Sequence, residues 1–193
     1  LQSTKKKTYR NEKLFFLFTG DENSFETMIS NFVCKLKECT LKFSDSEFYF
    51  DAEYSGGNKI DKINPITKEI GLNLRIYCKR KDTIIETMNR ITTKTINVSG
   101  NTETPAILEI TPSIDIIDIV LTGLSDDLII IRNLTGGKTV ILNGEDSTVT
   151  VEGINKFTDT DMWEFPKLKP GSNVIIVNRS NVDINIKYKP RWI

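Results

Sequence analysis

Hydrophobic and polar positions along this chain follow two rhythms, one helical and brief, the other of period two and sustained almost to the end. Between Lys13 and Thr19 the run Leu14, Phe15, Phe16, Leu17, Phe18 is apolar and aromatic, enough for one central strand and too short for a helix. Then Phe25, Met28, Ile29, Phe32, Val33 and Leu36 recur at three- and four-residue intervals. This places one apolar stripe on an amphipathic helix ending near Thr40. Asp21, Asn23 or Ser24 can cap its start, although Thr27 offers no glutamate for a full capping box. Packing of the stripe on the phenylalanine-rich strand accounts for it without a ligand.

Period two takes over from there. Residues 41–45 and 47–54 read as strands around a turn at 44–46, and Gly56-Gly57-Asn58 breaks the chain. Residues 56–68 hold Pro65 and few large apolar side chains, so a loop or mobile arm is expected there. From Ile70 to Lys79 alternation returns, with Leu72, Leu74, Ile76 and Cys78 on one face. Residues 82–88 fit a short helix or a strand, with the strand preferred. The polar, proline-terminated stretch 97–105 reads as a connection, and the domain boundary is placed between Arg90 and Thr95. After Pro105 come short β-rich runs at 107–111, 114–122, 128–133, 139–142, 147–151, 173–177 and 182–188. Asp126-Asp127, Gly136-Gly137, Asn143-Gly144 and Gly171 punctuate them like hairpin turns, Asn143-Gly144 most clearly. The apolar triplets at 129–131 and 140–142 suggest burial on both faces. The expected class is mainly β: an antiparallel α+β domain with one amphipathic helix over 1–92, then a β-sandwich over 93–193.

Phe165-Pro166-Lys167-Leu168-Lys169-Pro170-Gly171, followed by Asn173, is a proline-braced corner. Each proline fixes φ, and Gly171 can supply the positive φ of a tight turn. The chain closes on a hairpin ending in Tyr188, Pro190, Arg191 and Trp192. With this corner and ending, the chain resembles the siphophage distal tail protein family. Residues 104–110 around Pro105 are similar to the family's opening sandwich strand, 136–144 to its central hairpin strand, and 15–54 to the helix-bearing end of its ring-forming, belt-like domain. The resemblance implies a galectin-like or lectin-like sandwich and a structural protein of the virion tail, made in the bacterial host cytoplasm. It implies a homo-hexameric ring joining the tail tube protein to a tail-associated or receptor-binding protein of the baseplate. It also implies that Pro190, Arg191 and Trp192 lock the last strand, Arg191 by an ion pair or a carbonyl contact. The chain opens at Leu1 without a methionine, and the family's usual opening strands lack a counterpart. An N-terminally truncated first domain, with ring formation impaired, is therefore expected.

Charge and composition narrow the chemistry. Lys+Arg and Asp+Glu are equal at 26 each, which gives no overall field for nucleic acid or an anionic membrane. The basic run 3–9 reads as a solvated end. No apolar stretch approaches the length of about 18 residues that marks a membrane span. With no histidine in the sequence, a Ser-His-Asp or Cys-His arrangement is ruled out, and the usual imidazole metal sites with it. No cofactor is implied: neither a phosphate-binding loop nor a dinucleotide fingerprint is present, and Gly136-Gly137-Lys138-Thr139 reads as a hairpin turn. Cys34, Cys39 and Cys78 are expected reduced. Two weaker readings remain. Asp159, Asp161 and Glu164 near Trp163 have the composition of a glycosidase carboxylate pair, yet also that of an exposed loop. Asp159 with Asp161, or 125–127, offers oxygen ligands for calcium without EF-hand spacing. The main alternative function is a carbohydrate-binding sandwich presenting Trp163 or tyrosines to a bacterial cell-wall or surface glycan, which the tail reading admits as weak glycan binding. Trp163 and Trp192 suit either an interface or edge packing.

Overall fold

A computed structural model describes residues 9–21 and 23–193, with the backbone alone at Asn58 and Lys59. The basic run before Tyr9 lies outside the described residues. The chain forms two compact units, one up to Lys81 and the other from Asp82 to Trp192.

In the first unit, β1 (Arg10–Thr19), α1 (Phe25–Lys35), β2 (Cys39–Lys42), β3 (Tyr49–Asn64) and β4 (Thr67–Arg80) build an antiparallel sheet in the order β1-β4-β3-β2, with α1 on one face. Leu14, Phe16 and Phe18 turn inward from β1, opposite Leu72, Ile70 and Lys68 of β4. The helix brings Phe25, Ile29 and Leu36 against them, and the Phe32 ring meets Phe16 and Phe18 edge-on at 4.8 and 5.3 Å. The helix stops at Lys35 rather than near Thr40. The Leu36 carbonyl accepts the Tyr54 N–H at 2.8 Å, and Cys39 already pairs with Ala52. On the sheet face away from α1, Phe15 and Leu17 stay 58% and 65% exposed.

Residues 56–68, expected as a loop or mobile arm, are paired strand rather than loop. β3 and β4 continue as a hairpin to a tight turn at Pro65-Ile66, with register shifts at Gly56 and Gly57, whose φ values are +103° and +82°. Backbone pairing carries this hairpin, so it needs few large apolar side chains. Ile60, Ile63 and Ile66 are exposed along it.

The second unit is a two-sheet sandwich. Its strands are β5 (Ile84–Asn89), β6 (Thr93–Val98), β7 (Thr104–Pro112), β8 (Ile116–Thr122), β9 (Ile129–Leu134), β10 (Val140–Asn143), β11 (Thr148–Val151), β12 (Ile154–Asn155), β13 (Thr160–Asp161), β14 (Lys167–Leu168), β15 (Gly171–Val177) and β16 (Val182–Tyr188), after which β17 (Arg191–Trp192) lies outside both sandwich sheets. One sheet runs β12-β11-β10-β7-β16-β5 with β14 beside β7, the other β13-β9-β8-β15-β6. Alternate residues of both, among them Met88, Leu108, Ile110, Ile119, Leu121, Ile175, Ile184 and Ile186, meet in one core.

Four sequence expectations change here. The division falls between Lys81 and Asp82, ahead of Arg90, because β5 pairs along the full length of β16. β6, within the stretch taken for boundary and connection, is a strand paired with β15. Gly136-Gly137 is no hairpin turn: β9 belongs to one sheet and β10 to the other, so these glycines carry the chain across the sandwich. In the triplets 129–131 and 140–142 only the outer members are buried; Ile130 and Ile141 face outward, half-buried.

At the outer edge of β5 one backbone acceptor is covered by a side chain. Lys94 of β6 reaches Glu86 at 2.6 Å and donates to the Thr87 carbonyl at 2.8 Å, occupying an edge acceptor of β5.

Candidate functional site

The corner at 165–173 is closed by one amide side chain. Asn173 is buried, its Oδ1 accepting the Lys169 N–H at 2.9 Å while its Nδ2 donates to the Lys169 and Gly171 carbonyls at 2.8 and 3.0 Å. Gly171 takes φ +88°, the left-handed conformation the turn requires. Pro166 and Leu168 are buried; the Pro166 carbonyl accepts the Ala106 N–H at 2.8 Å, and Leu168 pairs with Thr104 beside Pro105. Phe165 is half-buried and stacks on Phe157 with ring centroids 5.9 Å apart. Pro170 is exposed on the turn. Gly144 fits beneath the corner because a Cβ there would lie 2.3 Å from the Pro166 carbonyl and 2.7 Å from that of Ala106.

The C-terminal ending is tied to the same region. Tyr188 is buried opposite Ala106 and Ile84, and burial, with the nearby Glu86 charge, pushes its hydroxyl above the usual tyrosine range. Pro190 is buried, and Thr104 donates its hydroxyl hydrogen to the Lys189 carbonyl at 2.6 Å. Arg191 and Lys189 both reach Glu145, each at 3.3 Å, and the Arg191 carbonyl accepts the Asn101 N–H at 3.1 Å. Glu145, Thr104 and Gly144 therefore belong to the constellation, though local sequence pattern does not single out Glu145. Trp192 is half-buried, whereas Trp163 stands 87% exposed.

The acidic residues around Trp163 are each engaged by a cation. Asp159 lies 2.6 Å from Lys156 and accepts from Asn133 at 3.2 Å; Asp161 meets Arg132 at 3.3 Å and Glu164 meets Lys167 at 2.8 Å. The Lys156 hydrogen bond, then that of Asn133, holds the Asp159 carboxyl below its ordinary range, the opposite of what a general acid requires. A cleft of about 300 Å³ beside Asp159 also contains the Lys138–Glu152 pair at 2.9 Å. At the other proposed calcium position Asp126 is bound by Lys169 at 2.7 Å. Among the described residues no group of three or more Cys, Asp or Glu side chains is arranged to hold a metal ion.

The family described as the siphovirus-type tail component, C-terminal domain, matches residues 99–192, the span that contains the corner and the C-terminal ending. No curated protein matches the chain. Among solved structures it is similar to the Dit protein (gp 19.1) of phage SPP1, described as a paradigm of the hub adsorption apparatus of phages infecting Gram-positive bacteria. That similarity has a TM-score of 0.73 at 11% identity and covers 96% of this chain and 80% of that one. It is also similar to a chain of the phage p2 baseplate in its activated conformation with Sr, with a TM-score of 0.54 at 13% identity, over 93% of this chain and 79% of the other. The protein is thus a structural component of a phage tail, its residues 99–192 matching the family of the siphovirus-type tail component, C-terminal domain.

Proposed function

We propose that the chain is a self-associating subunit of the tail tip, in which the first unit builds a ring and the sandwich carries attachments. By its family resemblance the ring has six copies and joins the tail tube protein to a tail-associated or receptor-binding protein. One observation carries this reading: the first unit leaves Phe15 and Leu17 exposed beside an edge of β1 that no described strand covers, while the second unit closes its own core. The work is docking rather than catalysis, a reading supported by carboxylates that are each engaged by a lysine or arginine near Trp163. The corner residues Pro105, Phe165, Pro166, Leu168, Pro170, Gly171 and Asn173, with Tyr188, Pro190, Arg191 and Trp192, hold the last hairpin in place. Trp163, exposed and amphipathic, is the residue offered to a partner.

Light scattering on a full-length version tests the reading. A discrete assembly several times the monomer mass is expected of it, and a strict monomer at the highest attainable concentration would overturn it. Trp163→Ala is expected to weaken capture of the partner tail protein without changing the assembly's mass.

A further inference from the structure

We propose that the groove between β11 and the Phe157–Phe165 ring pair is a binding site for a neutral saccharide. It lies wholly within the second unit, does not involve Trp163, and is independent of the ring.

Two clefts meet at Asn155, which lines both. The one beside Asp159 holds charges that neutralise one another, Lys156 with Asp159 and Lys138 with Glu152. The other differs in kind. Among the described residues that line it none carries a charge: Ser147, Thr148, Thr150 and Asn155 supply polar atoms, and Phe157 and Phe165 supply aromatic surface. Its volume of about 390 Å³ falls within the range of about 300–1,000 Å³ occupied by small-molecule sites.

Strand pairing gathers these groups on one face. Val149 turns into the sandwich core, so Thr148 and Thr150 on either side of it point outward. Thr150 pairs directly with Asn155, and Phe157 follows two residues later. The backbone on both sides of the Phe157 ring is tied down: its N–H donates to Asn155 Oδ1 at 2.8 Å, and its carbonyl accepts the Thr160 hydroxyl at 2.7 Å. The Lys156 N–H donates to the Val149 carbonyl at 2.9 Å, which fastens the segment to β11. Phe165 stacks on Phe157 within 22° of parallel, yet Phe157 stays 46% exposed. An aromatic surface fixed in advance loses little freedom when a ligand covers it.

Hydrogen-bonding capacity is also left over. Asn155 commits its Oδ1 to Phe157, so its Nδ2 is a spare donor, and among the described residues no partner engages the Thr148 or Thr150 hydroxyl. Each class of ligand meets this chemistry differently. An ion would find no countercharge in the groove. A purely apolar molecule would strip water from two hydroxyls and an amide and return no hydrogen bond. An extended peptide would need free backbone groups on β11, and the Val149 carbonyl is already taken by Lys156. A sugar matches both halves: the C–H face of its ring covers the phenylalanines, and its hydroxyls exchange hydrogen bonds with threonine and asparagine.

Titration of the whole chain with maltose, lactose and diacetylchitobiose, followed by amide NMR shifts, tests the site. Saturable shifts centred on residues 147–157 and 165 are expected with at least one of them, with a Kd on the order of 1 mM or tighter. Phe157→Ala is expected to weaken that binding at least about tenfold, and Thr150→Val, which keeps the shape and removes the hydroxyl, several-fold. The valine variant keeps the test sharp if the alanine variant loosens Phe165, and circular-dichroism melts within a few degrees of the parent confirm that each is folded. Trp163→Ala is expected to bind like the parent. No saturable shift with any of the three sugars at the limit of solubility would overturn the proposal, as would binding that neither Phe157→Ala nor Thr150→Val weakens. Equal or tighter binding of glucuronate, or of benzyl alcohol, would overturn the assignment to a neutral saccharide.

Discussion

In the second unit both sheets turn their apolar rows inward, so Leu108, Ile110, Ile119 and Ile129 are fully buried and one continuous core results. In the first unit a single sheet has a helix on one face, and on the other Phe15 and Leu17 face solvent beside an edge that no described strand covers. Burial of one face is enough to hold a sheet together, so these two side chains contribute little to the fold of a lone copy. The difference separates residues whose role is stability from residues whose role is contact. It also shows two sheet edges: Lys94 occupies an outward acceptor of β5, whereas no described strand covers β1.

Core truncation should split the comparison most sharply. Leu108→Ala is expected to lower the stability of the second unit by about 2–5 kcal/mol, and Phe25→Ala that of the first by about 3–5 kcal/mol. Calorimetry should show each variant moving a different transition. Leu17→Ala, by contrast, is expected to stay within about 0.5 kcal/mol of the parent, as an exposed site should. A large loss at Leu17 would mean that the exposed row supports the lone fold after all.

The corner comes next. Asn173→Ala removes three hydrogen bonds, two of them to the Lys169 backbone, and is expected to cost about 2–3 kcal/mol. Chemical denaturation should place the whole loss in the second unit's transition.

Edge protection is a smaller term in stability and a larger one in behaviour. The Lys94–Glu86 pair is partly exposed, so Lys94→Ala is expected to change stability by less than about 1 kcal/mol. The same variant should add concentration-dependent association through β5 or β6. Sedimentation velocity over a dilution series would detect it, and unchanged association would mean that Lys94 does not guard the edge.

The smallest effect lies at alkaline pH. Tyr188 has its folded-state pKa raised, chiefly by burial, so its stabilising contribution is complete below the unfolded tyrosine pKa of about 10 and is lost as pH rises through the higher folded value. Urea midpoints at pH 8 and at pH 11 should differ less for Tyr188→Phe than for the parent. An equal loss in both would assign the alkaline sensitivity elsewhere.

What could be read from the sequence was whatever local chemistry decides. The helical stripe from Phe25 to Leu36 and the corner from Phe165 to Asn173 are set by side-chain period, proline and glycine, and both are present; so is the Arg191 ion pair, although its partner Glu145 carries no local mark. Gly136-Gly137 signals a reversal, but a reversal does not specify which sheet takes the next strand. Residues 56–68 were hidden because β3 and β4 are held there by backbone bonds that leave no periodic trace, their isoleucines being exposed. β6 was hidden for a related reason: it is an edge strand with threonines facing solvent, so its alternation is faint. That no described strand covers β1 is a property of sheet order, which no single segment encodes.

One further consequence concerns the order of events during synthesis. β16, almost the last strand made, lies between β5, the first strand of its unit, and β7. Until Tyr188 is available, β5 has no neighbour in its sheet, and the core residues Met88 and Ile184 cannot meet. Such distant pairing is slow to form, and the sandwich closes only when its final hairpin arrives. The Asn173 side-chain bonds, all within a few residues, put the turn at 169–173 in position to form early and to turn that hairpin back towards the waiting strands.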